Sequence, residues 1–312
     1  MSADARYKQR LHTVSIAGVP GVALARRAAR LAWARHGGRR SDRRVGHVFA
    51  SFSPTGPPVW SPAAWIAGEI TGHERVAFVE HLSAMCAGGA AAVGAAARWL
   101  ASEPELDSVL VAAGDAVDDA VVDRWAFDSG VTLGDGAGAV VLSRQGPGHR
   151  IVCVRSGADV SLEAAQRGAP EIDFAAARPA LPARIQDRLH EAIHRSAGDL
   201  SVATIIESHT RLLTDTIDAA LAEANLDRAD ADFWALPFVG ANAMQHGYLA
   251  PLGIDADRTS CALGLTTGHL GGADQLIALD WLEAGGRMQP GKIVALIGLG
   301  AGLSVSCAVM RW

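Results

Sequence analysis

"SAMCAGGAAAVGAAARWL" (83–100) and "TTGHLGGADQLIALDWL" (266–282) are two versions of one pattern, and their pairing decides how the rest of the chain is read. Aligning the GGA triplets sets Cys86 opposite His269, and each triplet opens an Ala/Leu-rich run of helical period that ends in Trp-Leu. The continuation repeats as well. After the first helix come "DSVLVAAGD" (107–115) and "LGDGAGAVVLSR" (133–144); after the second comes "GKIVALIGLGAGLSVSCAVMRW" (291–312). Each half thus gives helix, apolar strand, glycine turn and apolar strand, with an insertion between the strands in the first half only. Upstream, "VALARRAARLAWARHG" (22–37) and "TDTIDAALAEANLD" (214–227) have helical period and lead into the apolar runs "RVGHVFASFS" (44–53) and "DFWALPFVGA" (232–241). Apolar strands alternating with helices indicate sheets covered on both faces, an α/β layered architecture. The expected division is a first half at 1–167 with a cysteine elbow, a Pro/Ala-rich linker or insertion at 168–183, and a second half at 184–312 with a histidine elbow. "RIQDRLHEAIHRS" (184–196) opens the second half as a helix.

Composition sets the outer limits. Of 312 residues, 49% are hydrophobic and 20% charged, which suits a soluble globular protein with a sizeable core. A formal net charge of −5 gives no basis for nucleic-acid binding. The basic run "GGRRSDRRVG" (37–46) reads as a solvated loop, with a phosphate dock for a carrier cofactor as the functional alternative. Cysteines 86, 153, 261 and 307 show no CxxC spacing, so neither a metal site nor a disulfide framework is expected, and a reducing cytoplasm fits. The N-terminal stretch has charges where an export signal needs an apolar core. Ile293 to Met310 carries no charge, but its "GLGAGLSVS" interior reads as two buried strands meeting at a glycine turn, not as a membrane span.

Cys86 stands where a helix begins. Unpaired N–H groups and the positive end of the helix dipole favour thiolate there, which suits a nucleophile; a buried structural cysteine is the competing reading. If an approximate twofold axis relates the halves, the cysteine elbow of one faces the histidine elbow of the other. A thiolate with an imidazole in reach is the apparatus for acyl transfer through a thioester. The turn Gly300-Ala301-Gly302 brings backbone N–H groups to such a site, and the N–H groups of Cys86 and Ala301 are the expected oxyanion hole.

Four segments in order, "SAMCAGGAAA" (83–92), "GVTLGDGAGAVVL" (130–142), "NAMQHGYLAPLGI" (242–254) and the terminal "GLGAGLSVSCAVMRW" (298–312), resemble the thiolase fold and, within it, the type III β-ketoacyl synthases. The resemblance covers roughly 46–145 and 185–312. It implies two pseudo-twofold-related halves in a layered αβαβα sandwich, and a homodimer built by continuing a sheet across the interface. The chain also departs from the family. The first segment lacks the glycine-rich opening strand. The histidine of the family's His-Gln-Ala-Asn motif is Val239, followed by Gly240, Ala241 and Asn242, and the family's active-site asparagine falls on His269. The arginines that commonly follow the motif are Met244 and Gln245. Valine donates nothing to a thioester oxygen, so decarboxylative condensation loses a donor.

Cys86, His269 and Asp274 together resemble the Cys/His/Asp set of ketosynthase-like acyltransferases from natural-product pathways. A separation of five does not stack on a regular helix, so Asp274 meets His269 only if the histidine lies in the elbow before the helix proper. A carboxylate favoured by the helix dipole is the bland reading of Asp274. The resemblance implies an acyl-CoA or a phosphopantetheine-carried acyl thioester as donor, with coenzyme A or acyl carrier protein as partner. The acyl group passes through Cys86 to a hydroxyl, amine or thiol on a small or carrier-bound acceptor, without metal or bound cofactor. The alternative is a carbon–carbon-forming condensing enzyme. His209, Asn242 and Val239 are candidates for the substrate pocket; His246 is a weak candidate for replacing the lost imidazole, and His81 is expected to be structural.

Overall fold

The computed structural model describes residues 9–37, 44–144, 148–167, 182–196 and 198–312. The basic run at 38–43 and residues 168–181 of the expected linker lie outside the described residues.

Among the described residues eight strands form two four-stranded sheets. The first holds β1 (Val45–Ala50), β2 (Val76–Leu82), β3 (Ser108–Asp115) and β4 (Gly136–Ser143) in the order β2-β1-β3-β4; β1 runs parallel to β2 and β3, and β4 is antiparallel to β3. The second holds β5 (Arg150–Ala158), β6 (Phe233–Ala235), β7 (Ile293–Gly300) and β8 (Ser304–Arg311) in the order β5-β8-β7-β6. The triple β1, β3, β4 matches β6, β7, β8 in direction, one parallel and one antiparallel pairing each. Every residue of β1 and β3 is buried, as their unbroken apolar runs require when both faces are covered.

The longer helices are α1 (Gly21–Arg35), α2 (Pro62–Ile70), α3 (Gly88–Ser102), α4 (Ile185–Arg195), α5 (Val202–Glu223), α6 (Cys261–Thr267) and α7 (Asp274–Ala284), with shorter turns between them. Helices α3 and α7 lie between the sheets, in a core that joins Val93 and Leu282 to Val109, Leu296 and Met310. On the outer face of the first sheet α1 and α2 bury Val22 and Ile66 against Phe49 and Leu110. On the outer face of the second, Leu213, Ile217 and Leu221 of α5 pack with Ile293, Ile297 and Val309. The layers therefore run α, β, α, β, α, the thiolase-like α/β architecture. Apolar area on both faces of each sheet supplies most of the driving force, at roughly 25 cal/mol per Å² removed from water.

The run Ile293 to Met310 forms β7 and β8 around a glycine turn, and no helix among the described residues is long and apolar enough to cross a membrane. Strand β5 departs from the sequence reading: grouped there with the first half at 1–167, it pairs antiparallel with β8 in the second sheet. Its composition identifies a strand but carries no signal for its partner. Among the described residues no strand pairs with the outer edge of β4, and residues 11–20 form no strand.

Candidate active site

The repeated GGA triplets meet at the centre of the molecule. A Cβ on Gly89 would lie 2.0 Å from the Gly272 carbonyl oxygen, and one on Gly272 would lie 3.1 Å from the Gly89 nitrogen. A side chain at Gly89 is excluded by this backbone approach, and one at Gly272 would be crowded. Each elbow is thereby held against the other.

Cys86 sits on a 3-10 turn, Met85–Ala87, between β2 and α3. Met85 before it has φ +48°, a left-handed conformation that a side-chain-bearing residue adopts at a cost and that recurs at functional turns. The thiol is free and half-buried. Gly300, at the end of β7, approaches so closely that a Cβ would lie 2.5 Å from the Ala84 carbonyl and 3.2 Å from the Ala87 nitrogen. The glycine turn expected to supply the oxyanion hole therefore lies against the cysteine elbow. Within it the Gly302 N–H is engaged by Gln166 Oε1 at 2.6 Å.

His269 follows α6 and Gly268, whose φ is +73°. The first half pins its backbone: His269 N donates to Thr132 O (2.9 Å), and His269 O accepts from Gly134 N (2.8 Å). The segment "GVTLGDGAGAVVL" thus holds the opposite half's histidine as well as closing its own sheet. His269 is 3% exposed and Asp274 not at all. Histidine Nδ1 donates to Asp274 Oδ2 at 2.5 Å, as the sequence required of an elbow histidine ahead of the helix. Asp274 is the first residue of α7, and its carboxylate also accepts from Leu270 N (2.7 Å, Oδ1) and Phe238 N (2.7 Å, Oδ2). Both readings of Asp274, histidine partner and helix-start carboxylate, describe it.

With Nδ1 committed to Asp274, Nε2 is the nitrogen left for Cys86, whose charge bears on the imidazole. Burial opposes a charged imidazole here, but the pull of Asp274 and Cys86 outweighs it and holds His269 well above the usual histidine range. The arrangement can take a proton from sulfur or from an incoming nucleophile and return it to a leaving group.

Of the pocket candidates, Val239 and Asn242 line a cavity of about 480 Å³ together with Arg10, Met244, Gln245 and Leu265. His209, on α5, is pushed below the usual histidine range by burial and meets the Tyr248 ring edge-on, with centroids 5.7 Å apart. His246 is exposed and is not in the site. His81 bonds Ser51 Oγ at 2.8 Å and stacks on Phe49, a structural setting.

Sequence reasoning missed two residues. Tyr248 is buried on a π-helical turn, Gln245–Leu249; burial, with the charges of Cys86 and Asp274 added, drives its hydroxyl well above the usual tyrosine range. Asp115, at the end of β3, is fully buried beside the histidine elbow. The extra residue in a π turn breaks the 3.6 period by which a helical face is read. For Asp115 the only sequence signal is a carboxylate closing an otherwise apolar strand.

The 3-oxoacyl-[acyl-carrier-protein (ACP)] synthase III family matches residues 81–160, and the C-terminal region of the same synthase family matches 221–312. Together these span more than half of the chain, which belongs to this family of thiolase-fold ketosynthase III-type enzymes. It is similar to the β-ketoacyl-[acyl-carrier-protein] synthase III of Synechocystis sp., 25% identical over 260 residues that cover 81% of this chain and 73% of that one. Among solved structures it is similar to ChlB3, an acyltransferase, at 28% identity and a TM-score of 0.87, over 99% of this chain and 89% of that one. The 3-oxoacyl-[acyl-carrier-protein] synthase III of Aquifex aeolicus shares the fold at 19% identity and a TM-score of 0.77, over 100% of this chain and 92% of that one.

Proposed function

We propose that this enzyme is an acyltransferase that moves an acyl group from a coenzyme A or acyl-carrier-protein thioester, through Cys86, to a hydroxyl, amine or thiol acceptor in secondary metabolism. The observation that carries the reading is the buried His269–Asp274 pair facing Cys86, with valine at 239. Similarity to an acyltransferase along almost the whole chain supports it.

In the first half-reaction Cys86 gives its proton to His269 Nε2 and its sulfur attacks the thioester carbonyl. The resulting oxyanion is received by the N–H groups of Cys86 and Ala301. Collapse expels the donor thiolate, which takes the proton from His269 and leaves as a thiol. In the second, the acceptor loses its proton to His269 Nε2 as it attacks the acyl-enzyme. Collapse returns the sulfur to Cys86 and the proton with it. Acyl thioester plus acceptor gives acylated acceptor plus thiol, with no electron transferred. Asp274 fixes the Nδ1–H tautomer and stabilises the imidazolium, the logic of catalytic triads. Val239 and Asn242 border the space assigned to the acceptor.

The second reading, carbon–carbon bond formation, is favoured by the names of the synthase III relatives. Supplying an acyl thioester with a malonyl thioester separates the two. Carbon dioxide with a β-keto thioester supports condensation; acyl product with added nucleophile and intact malonyl thioester supports acyl transfer.

We further propose a homodimer joined along β2, the edge strand of the first sheet. Its backbone edge, unpaired among the described residues, and Val79, 37% exposed, would be covered by a second copy. A cytoplasmic location accords with four free cysteines.

A further inference from the structure

Asp115 ends β3 and has no solvent exposure. Its two oxygens face different halves of the molecule. Oδ1 accepts from Phe52 N (2.9 Å), Ser53 N (2.9 Å) and Ser53 Oγ (2.8 Å), all in the loop after β1. Oδ2 accepts from Gly272 N (3.1 Å), inside the histidine elbow, three residues past His269 and two before Asp274. Gly271 makes room for it: its φ is +65°, and a Cβ there would lie 2.3 Å from Asp115 Oδ2. Gly272 is also the residue whose carbonyl abuts Gly89 of the cysteine elbow.

We infer that Asp115 is a positioning residue, a strut that sets the histidine elbow against the cysteine elbow and so fixes the His269–Cys86 geometry. It touches neither substrate nor the reacting atoms and acts through Gly272. The inference rests on the acyl-transfer reading for its activity consequence. Burial raises the Asp115 carboxyl above the usual range, while the bonds from Ser53, Phe52 and Gly272 pull the other way.

Asp115→Asn makes a directed lesion. Three donors converge on Oδ1, so the amide oxygen takes that place and the amide NH₂ is turned onto the Gly272 N–H. The strut then repels the elbow it held. Displacement by about 1 Å at a catalytic group costs on the order of 100-fold in rate.

The test measures acyl transfer from preloaded Cys86 by intact-protein mass, and in parallel the ionisation of His269 by imidazole nitrogen NMR. The variants are Asp115→Asn, Ser53→Ala, which leaves the Gly272 bond in place, and Ile217→Ala, a core lesion in α5 away from the elbows. Asp115→Ser, which opens the strut without opposing donors, serves if the amide variant does not fold. The expected result is transfer slowed about 100-fold with the His269 midpoint lowered in the Asp115 variants, and near-wild-type behaviour in the other two. Wild-type transfer and an unmoved His269 midpoint in a folded Asp115 variant overturn the inference. So does slowing that Ile217→Ala reproduces with no change at His269. If the wild type never acylates Cys86, the acyl-transfer reading fails, and the His269 midpoint still decides the strut, because it needs no activity.

Discussion

Replacing Asp274 by Asn keeps the volume at the histidine elbow and removes the charge. The carboxylate now accepts three N–H groups: Leu270 N at Oδ1, and Phe238 N and His269 Nδ1 at Oδ2. An amide has one oxygen. If it takes the Oδ2 place, the NH₂ group confronts the Leu270 N–H, and that buried donor goes unsatisfied at about 1–3 kcal/mol. If it takes the Oδ1 place, the NH₂ group faces Phe238 N–H and His269 Nδ1. The imidazole keeps a bond only by accepting there, which moves its proton to Nε2, the nitrogen that must receive protons. A wrong tautomer of this kind costs about 10⁴ in kcat in serine proteases. The better orientation still loses a charge-assisted bond. The transfer step of Asp274→Asn is therefore expected to slow by about 10²–10⁴, about 3–5 kcal/mol in the barrier. The His269 midpoint falls as well, because burial then opposes the imidazolium with Cys86 alone to counter it. The assay is single-turnover: wild type and variant are preloaded on Cys86, mixed with acceptor, quenched, and read as acylated fraction by protein mass. Transfer within about threefold of wild type by a folded variant, well short of the tenfold that 1.4 kcal/mol represents, refutes the assigned role of Asp274.

Other expectations are independent of the acceptor. Gly89→Ala forces a Cβ to within 2.0 Å of the Gly272 carbonyl and should destabilise by about 1–3 kcal/mol with lost transfer, while Gly94→Ala in the same helix, whose nearest neighbour would be 3.6 Å away, should stabilise by about 0.5–1 kcal/mol; denaturant midpoints distinguish them. Arg124→Leu leaves Asp135 without the partner it holds at 2.8 Å, both side chains being buried, and should cost about 3–5 kcal/mol by chemical denaturation; a loss under about 1 kcal/mol contradicts the pairing. His47 is buried with Nε2 on Thr71 Oγ1 and is pushed down to about 4, so its folded value lies below its unfolded one. Stability from it is complete above about pH 6.5 and is lost as pH falls toward 4, by up to about 3 kcal/mol; His47→Leu should flatten that part of the pH–stability curve.

The two elbows are legible because close backbone contact leaves a mark in sequence. Gly89 and Gly272 hold the same place in the two copies, where the elbows press together, and aligning the triplets sets Cys86 opposite His269. The reach of Asp274 is legible too, since a separation of five excludes a helical pair and demands the elbow that the chain makes. Strand partnership is less accessible. Nothing local to "RIVCVRSGA" (150–158) says that it pairs with β8, because that choice depends on residues near the far end of the chain. Tyr248 escapes for a different reason: the π turn shifts it off the face that helical spacing assigns. Asp115 reads locally as the end of a strand, and its bond to Gly272 exists only once the halves have met.

The central claim, that Cys86 carries the acyl group and His269 passes it on, is tested most directly by protein mass after brief exposure to a panel of acyl-coenzyme A and acyl-carrier thioesters. The account predicts one added acyl mass on the wild type and none on Cys86→Ala. His269→Ala is expected to load slowly and to keep its acyl group when acceptor is added. A folded wild type that takes up no acyl group from any thioester, or a Cys86→Ala variant that still does, contradicts it.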